Sequence, residues 1–299
     1  MSAKPLATMV HSMSIKTILV PLEDCDATGS MLETAWLAAE QFGCYLEGLY
    51  IKRALSGVVV ADIGGYAVAT ADLVESFEEE DRQRAQRVRT RFEDFVRSKG
   101  AALGGAATGK SGASANWYDD NAPGDTAAGM HARLFDLTIV GRPISGLSAP
   151  ATSTLETILF ESGRPILIAP PVAPTTLNGI VVISWNGSTE TARTIAHAMP
   201  FLAEAKKTIV LSVEGVMVPG PTAAEVARYL RHGGVAAEAR EVAAGSRSGG
   251  EAILAEAAEL GANLLVKGAY THSRLRQMIF GGATSHILAA AELPVLMAH

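Results

Sequence analysis

The two halves of the chain carry the same landmarks in the same order. Each half opens with an apolar run, passes through a polar loop into a helical pattern, later has an apolar run that ends at a glycine, and closes with a proline-led strand. These landmarks lie at 15–22, 30–42, 137–141 and 164–169 in the first half, and at 179–184, 189–202, 264–268 and 293–298 in the second. Such a repeat predicts two copies of one structural plan.

Between the landmarks, short Val- and Ile-rich runs alternate with amphipathic segments, a pattern typical of parallel βαβ units. The proline-rich stretch 170–174 continues neither a helix nor a strand and predicts a short linker. We therefore expect two domains, 15–171 and 178–299. Each should be an α/β domain in which five strands, joined by right-handed crossovers, form a doubly wound parallel sheet.

Composition excludes several classes of protein. The formal net charge is −6, so the chain lacks the broad basic excess that a nucleic-acid binder uses to contact phosphates. It contains no apolar run near the roughly 18 residues of a membrane span, and its first fourteen residues predict a loose tail rather than a signal peptide. Two cysteines, Cys25 and Cys44, suggest a reducing compartment. We expect a cytoplasmic protein that binds neither nucleic acid nor membrane.

The segment after the apolar run 264–266 has the layout of a phosphate cradle. Gly268 ends that run, and Gly281 and Gly282 precede a helical pattern that begins near Ala283. Glycines allow backbone conformations and close approaches that a Cβ would prevent, and a helix start presents free N–H groups to an anion. A tight strand-to-helix turn that needs glycine only for its geometry would give the same pattern. Both interpretations remain open at this point.

The second half resembles a universal stress protein domain. The resemblance rests on the loop Trp185-Asn-Gly-Ser188 and on the stretch that starts Gly268-Ala-Tyr-Thr-His-Ser-Arg-Leu-Arg and ends in Gly281-Gly282. Because the first half keeps the order of landmarks, the resemblance extends to a tandem, UspA-like universal stress protein. It implies two Rossmann-like domains of the adenine nucleotide alpha hydrolase-like type, paired through their last strands. It also allows a homodimer and protein partners that the sequence does not identify.

In nucleotide-binding members of that family the loop reads Gly, two residues, Gly, nine residues, Gly, then Ser or Thr. Gly268 and Gly281 match this pattern, whereas Thr271 replaces the second glycine and Gly282 replaces the hydroxyl residue. The resemblance implies the following candidate ligand-binding residues: Asn186 for the ribose, Val213 near the adenine, and Gly268, Thr271, Arg274, Gly281, Gly282, Ala283 and Thr284 around the phosphates.

The first half departs further from the family pattern. The run Gly141-Arg-Pro-Ile144 lacks the second glycine, and Pro143 stiffens the loop. Glu23 stands where a ribose-binding acid would be. We expect no nucleotide in this half. The stretch 58–69, which contains Gly64-Gly65, is interpreted as an insertion or a lid.

Two functions remain after these arguments. The first is a nucleotide-responsive stress regulator that binds ATP or another adenine nucleotide in its second half, with Mg²⁺ as an allowed companion; Arg274 with the two matching glycines favours it. The second is a ligand-independent interaction and oligomerisation module, which Thr271 and Gly282 favour. An enzyme is not expected, because the sequence has no Walker-type loop, no carboxylates paired for magnesium and no nucleophile with an adjacent base.

Overall fold

The computed structural model describes residues 14–52, 71–101, 103–104, 112–119, 124–143, 150–269 and 282–299. The first half consists of β1 (Thr17–Leu22), α1 (Thr28–Phe42), β2 (Tyr45–Tyr50), α2 (Ala71–Ser98), β3 (Ser114–Tyr118), α3 (Asp125–His131), β4 (Leu137–Gly141), α4 (Thr152–Glu161) and β5 (Ile166–Ala169). The second half consists of β6 (Ile180–Ser184), α5 (Thr189–Glu204), β7 (Lys207–Val213), α6 (Ala223–His232), β8 (Ala237–Val242), α7 (Gly249–Glu259), β9 (Leu264–Gly268), α8 (Gly282–Ala290) and β10 (Val295–Ala298).

All ten strands form one continuous sheet in the order β3-β2-β1-β4-β5-β10-β9-β6-β7-β8. Within each half every neighbouring pair is parallel, and both halves have the same internal order. This confirms the predicted α/β class with two doubly wound, five-stranded parallel arrangements. The two halves meet where β5 pairs antiparallel with β10, with Leu296 opposite Leu167. Because that junction is antiparallel, the carboxyl ends of the strands lie at opposite edges of the sheet in the two halves.

Helices cover both faces of the sheet. One face packs on α1, α2, α5 and α6, in a core that contains Phe92, Phe201 and Val266. The other face packs on α3, α4, α7 and α8, in a core that contains Leu265 and Ile287. Side chains alternate between faces along a strand, so strands covered on both sides read as continuous apolar runs. This explains why the runs in the sequence predict the strands well.

Capping boxes begin two of the described helices of the second half, α6 and α7. The side chains of Thr222 and Ser248 each accept a hydrogen bond from the backbone N–H of a glutamate three residues later, at 3.3 Å. The carboxylate of that glutamate in turn accepts a hydrogen bond from the backbone N–H of the capping residue. Such a capping box satisfies N–H groups that a helix start would leave unpaired. The glycine-rich stretch 245–250 leads into α7, which begins at Gly249. None of the helices that the structure describes is long and apolar enough to cross a membrane.

Candidate functional site

The topology of the second half has a switch point at the carboxyl ends of β6 and β9, where open parallel sheets have a crevice. These strands are neighbours, and Ser184 pairs with Lys267 near their ends. The chain leaves β6 toward α5 on one face, whereas the helix that follows β9 lies on the other face. Parallel sheets bind ligands at such a point, where the strand order reverses. The candidate residues of the sequence analysis belong to the loops and helix starts around this crevice.

The loop from β6 to α5 is held in a fixed shape. The Asn186 side-chain oxygen accepts hydrogen bonds from the Ser188 N–H at 3.2 Å and the Thr191 hydroxyl at 2.7 Å. Gly187 has a φ of +87°, and a Cβ there would lie 2.4 Å from the carbonyl oxygen of Val218, so glycine is required. A ribose at this point would therefore meet an Asn186 side chain whose oxygen is already engaged within its own loop.

Trp185 stabilises the same loop from the other side. Its side chain is buried, and its indole N–H donates to the carbonyl oxygen of Pro221 at 2.7 Å. The backbone N–H of Val218 donates to the carbonyl oxygen of Asn186 at 2.8 Å, which ties the segment after β7 to the loop after β6. Trp185 is thus buried at the carboxyl edge of the sheet and presents little surface to a ligand.

Gly268 is required by the approach of α5. A Cβ at this position would lie 2.4 Å from the backbone nitrogen of Thr191 and 2.7 Å from the carbonyl carbon of Glu190. Gly268 itself lies in a regular strand, so its role is to make room and not to adopt an unusual backbone conformation. The contact joins two predicted site residues, because Thr191 is also the hydrogen-bond partner of Asn186. The packing of α5 therefore explains this glycine without a ligand and without an unusual turn conformation.

The helix α8 begins at Gly282, near the start that the sequence predicts. Gly282 is exposed, Ala283 is partly exposed and Thr284 is buried. A Cβ on Gly250 of α7 would lie 2.9 Å from the carbonyl oxygen of Ala283, so the glycine in α7 lets the first turn of α8 approach closely. The first N–H groups of a helix have no partner within the helix and carry the positive end of its dipole.

Two further points complete the comparison with the predicted site. Val213 ends β7 and is 1% exposed, so its side chain belongs to the core beneath the crevice. Thr271, Arg274 and Gly281 lie outside the described residues, as does the stretch 58–69. The structure thus brings Asn186 and Gly268 together through Thr191.

Lys267 is a polar residue of this crevice that the sequence analysis does not single out. It precedes Gly268 in β9, is only 8% exposed, and donates a hydrogen bond to the carbonyl oxygen of Gly268 at 3.1 Å. Burial lowers the pKa of Lys267 to about 8, because removal from water disfavours the charged form. The sequence signal was a lysine directly after the apolar run 264–266, a place where an apolar residue would continue the strand.

The corresponding edge of the first half is occupied by the chain itself. The Glu23 carboxylate accepts a hydrogen bond from the Ala151 N–H at the start of α4, at 3.0 Å. The Thr154 hydroxyl, in the first turn of α4, donates to Asp125 at 2.6 Å. A Cβ on Gly141 would lie 2.4 Å from the ring of Pro150, which therefore packs directly on that glycine. Among the described residues of this half, protein groups thus contact the start of α4 and the space next to Gly141.

Among the residues that the structure describes, no group of three or more His, Cys, Asp or Glu side chains is arranged to hold a metal ion.

Comparison with known proteins identifies the second half. The sequence of residues 180–299 matches the model of the universal stress protein family. The second half of the chain is a universal stress protein domain. It begins with β6 and ends after β10, so it contains all of the crevice described above. The match relates this half of the chain to universal stress proteins.

Solved structures extend the likeness in fold to the whole chain. A universal stress protein from Archaeoglobus fulgidus DSM 4304 has a TM-score of 0.67 at 14% identity, covering 95% of this chain and 96% of that one. A putative universal stress protein from Pseudomonas aeruginosa UCBPP-PA14 has a TM-score of 0.53 at 19% identity, covering 95% and 93%. The chain therefore has the tandem α/β fold of UspA-like universal stress proteins. A search of curated proteins finds no match.

Proposed function

We propose that this protein is a stress-response regulator that binds one adenine nucleotide, ATP or a relative of it, in its second half. The observation that carries the proposal is the topological switch point at the carboxyl ends of β6 and β9, together with the exposed residue Gly282 that begins α8, the next helix along the chain. A helix start at such a crevice is suited to phosphate, since it offers unpaired N–H groups and a positive dipole end.

The contrast between the halves supports a single site. In the first half the Glu23 carboxylate takes the N–H at the start of α4 and Pro150 packs on Gly141. In the second half the equivalent helix begins with the exposed Gly282. An anion entering the first half would have to displace a carboxylate that already satisfies the helix start, and the two negative charges would repel each other.

In the proposed complex the phosphates lie at the N–H groups of Gly282 and Ala283, the ribose lies near Asn186, and the adenine lies above the end of β7. Thr271, Arg274 and Gly281 would complete the phosphate site, and Mg²⁺ would be held by the phosphate oxygens. The nucleotide acts as a switch only if it binds two conformations or two assemblies with different affinity. The proposal assigns no catalytic step to the chain.

A variant that reproduces the Glu23 arrangement at the start of α8 tests the site. Gly282→Glu places a carboxylate at the start of α8, where nothing in the described residues lies within 4 Å of an added Cβ. The new charge favours the helix but repels a phosphate. We expect nucleotide binding, measured by isothermal titration, to weaken at least tenfold. Ala290→Glu adds the same charge at the exposed far end of the same helix and should leave binding unchanged. Equal affinities for both variants would refute the site.

A ligand-independent interaction module is the second candidate function. It is favoured by two observations: the contact with α5 alone explains Gly268, and the Asn186 oxygen is engaged within its own loop. This candidate predicts no saturable nucleotide binding, together with self-association or partner binding that added ATP does not change. Sedimentation velocity with and without ATP separates it from the nucleotide switch.

A further inference from the structure

Lys267 lies at the carboxyl edge of the sheet, where the proposed ligand would bind. It pairs in register with Ser184 of β6 on one side and with Met297 of β10 on the other. Leu265, two residues earlier in the same strand, packs in the core that contains α7 and α8. Since alternate residues of a strand share a face, the Lys267 side chain lies on the α8 side of the sheet. Its ammonium group, bound to the carbonyl oxygen of Gly268, is at the carboxyl end of the strand.

Among the described residues, the ammonium group of Lys267 has a single hydrogen-bond partner. A lysine has three N–H donors; here one of them bonds to the carbonyl oxygen of Gly268, and the described part of the chain supplies no carboxylate ion pair. Burial lowers the pKa of this side chain to about 8. A buried charge that lacks a counter-charge is costly, so an apolar side chain would serve the strand better. An anion bound at the crevice would supply the counter-charge and a further hydrogen-bond acceptor.

We propose that Lys267 is a phosphate-binding residue of the second half, whose ammonium group contacts a phosphoryl oxygen of the ligand. This inference rests on the proposed function, because it concerns the same crevice between β6 and β9. A compact ammonium charge beside a helix start is a common way to hold a phosphate. Lys267 thereby makes the crevice selective for the phosphorylated ligand over the free nucleoside.

The test compares Lys267→Met with Lys207→Met. Methionine has an unbranched side chain of similar length to lysine but carries no charge. Lys207 begins β7 at the opposite edge, is 45% exposed and pairs with Glu238 at 2.9 Å, so its substitution makes the same change in net charge away from the crevice. Each protein is titrated with ATP and magnesium, with adenosine, and with inorganic pyrophosphate. Unfolding in urea is followed for each variant to establish that it is folded.

We expect Lys267→Met to weaken ATP binding by roughly 10- to 100-fold, as for the loss of a hydrogen bond to a charged group. Adenosine binding should be unchanged, and Lys207→Met should behave as the parent. Unaltered ATP binding by Lys267→Met would overturn the role of Lys267 and leave the nucleotide site standing. A variant that is less stable than the parent without ligand would also overturn it, because Lys267 would then be structural.

The same titrations can refute the nucleotide site and the phosphate-binding role of Lys267 independently of each other. Pyrophosphate binding that depends on Lys267, in a protein that does not bind ATP, would support the phosphate role and refute the nucleotide. A parent protein that binds neither ATP nor pyrophosphate would refute both.

Discussion

Lys267→Met should stabilise the ligand-free protein, and the magnitude follows from the structure. Burial lowers the pKa of Lys267 from 10.5 to about 8. At about 1.4 kcal/mol per pH unit, this difference corresponds to about 3 kcal/mol by which folding disfavours the charged form. The variant loses the hydrogen bond to the Gly268 carbonyl, worth about 1 kcal/mol. We therefore expect a net gain of about 2 kcal/mol in the free energy of unfolding at pH 7.

The dependence on pH distinguishes this explanation from improved packing. The lysine pKa is lower in the folded state, so between pH 8 and pH 10.5 the unfolded state binds more protons and the stability of the parent rises with pH. Below pH 8 both states are charged and the full cost is present. The advantage of the variant should thus shrink as pH increases from 8 to 10.5.

Urea unfolding followed by tryptophan fluorescence, at pH 7 and at pH 10, provides the measurement. Subtraction of the parent cancels the other titrating groups, which the two proteins share. A variant that is less stable than the parent at pH 7, or whose advantage is the same at both pH values, would refute the reasoning.

Three further predictions concern packing and reactivity. Gly268→Ala should lower the free energy of unfolding by about 1–3 kcal/mol, because the new Cβ meets the backbone of α5. Gly282→Ala should have the stability of the parent or exceed it by up to about 1 kcal/mol. Urea midpoints in the reverse order would contradict the packing described. Glu23→Gln should destabilise the protein by about 1 kcal/mol, since it weakens the interaction at the start of α4, and an unchanged midpoint would count against that contact. Burial raises the pKa of the thiols of Cys25 and Cys44, the latter to about 12. Both should therefore react slowly with a thiol reagent at pH 8 in the folded protein and quickly after unfolding; rapid reaction in the folded state would show that they are accessible.

Most of the fold could be predicted from the sequence because buried parallel strands produce a recognisable sequence pattern. Their apolar runs are short, end at glycine or polar loops, and repeat in both halves. The helix α4 is an element for which the sequence analysis makes no prediction. Its first turn contains Thr152, Ser153 and Thr154, residues with modest helix propensity, and its stability comes from packing of Leu155 and Ile158 in the core.

The site was less accessible to sequence reasoning, for two physical reasons. The need for glycine at Gly268 arises from the first turn of α5, which is distant in sequence, so the residue was interpreted as a source of backbone freedom. Lysine is usually exposed, so a lysine at the end of an apolar run does not by itself indicate a buried charge. Only the three-dimensional arrangement of β6, β9 and β10 shows that Lys267 is enclosed.

The most direct test of the account is isothermal titration of the purified full chain, freed of bound ligand, with ATP and magnesium, and with AMP in parallel. The account predicts saturable binding of one nucleotide per chain, in the second half. Two nucleotides per chain would contradict the closure of the first half by Glu23 and Pro150, and no binding at millimolar ATP would contradict the nucleotide switch itself.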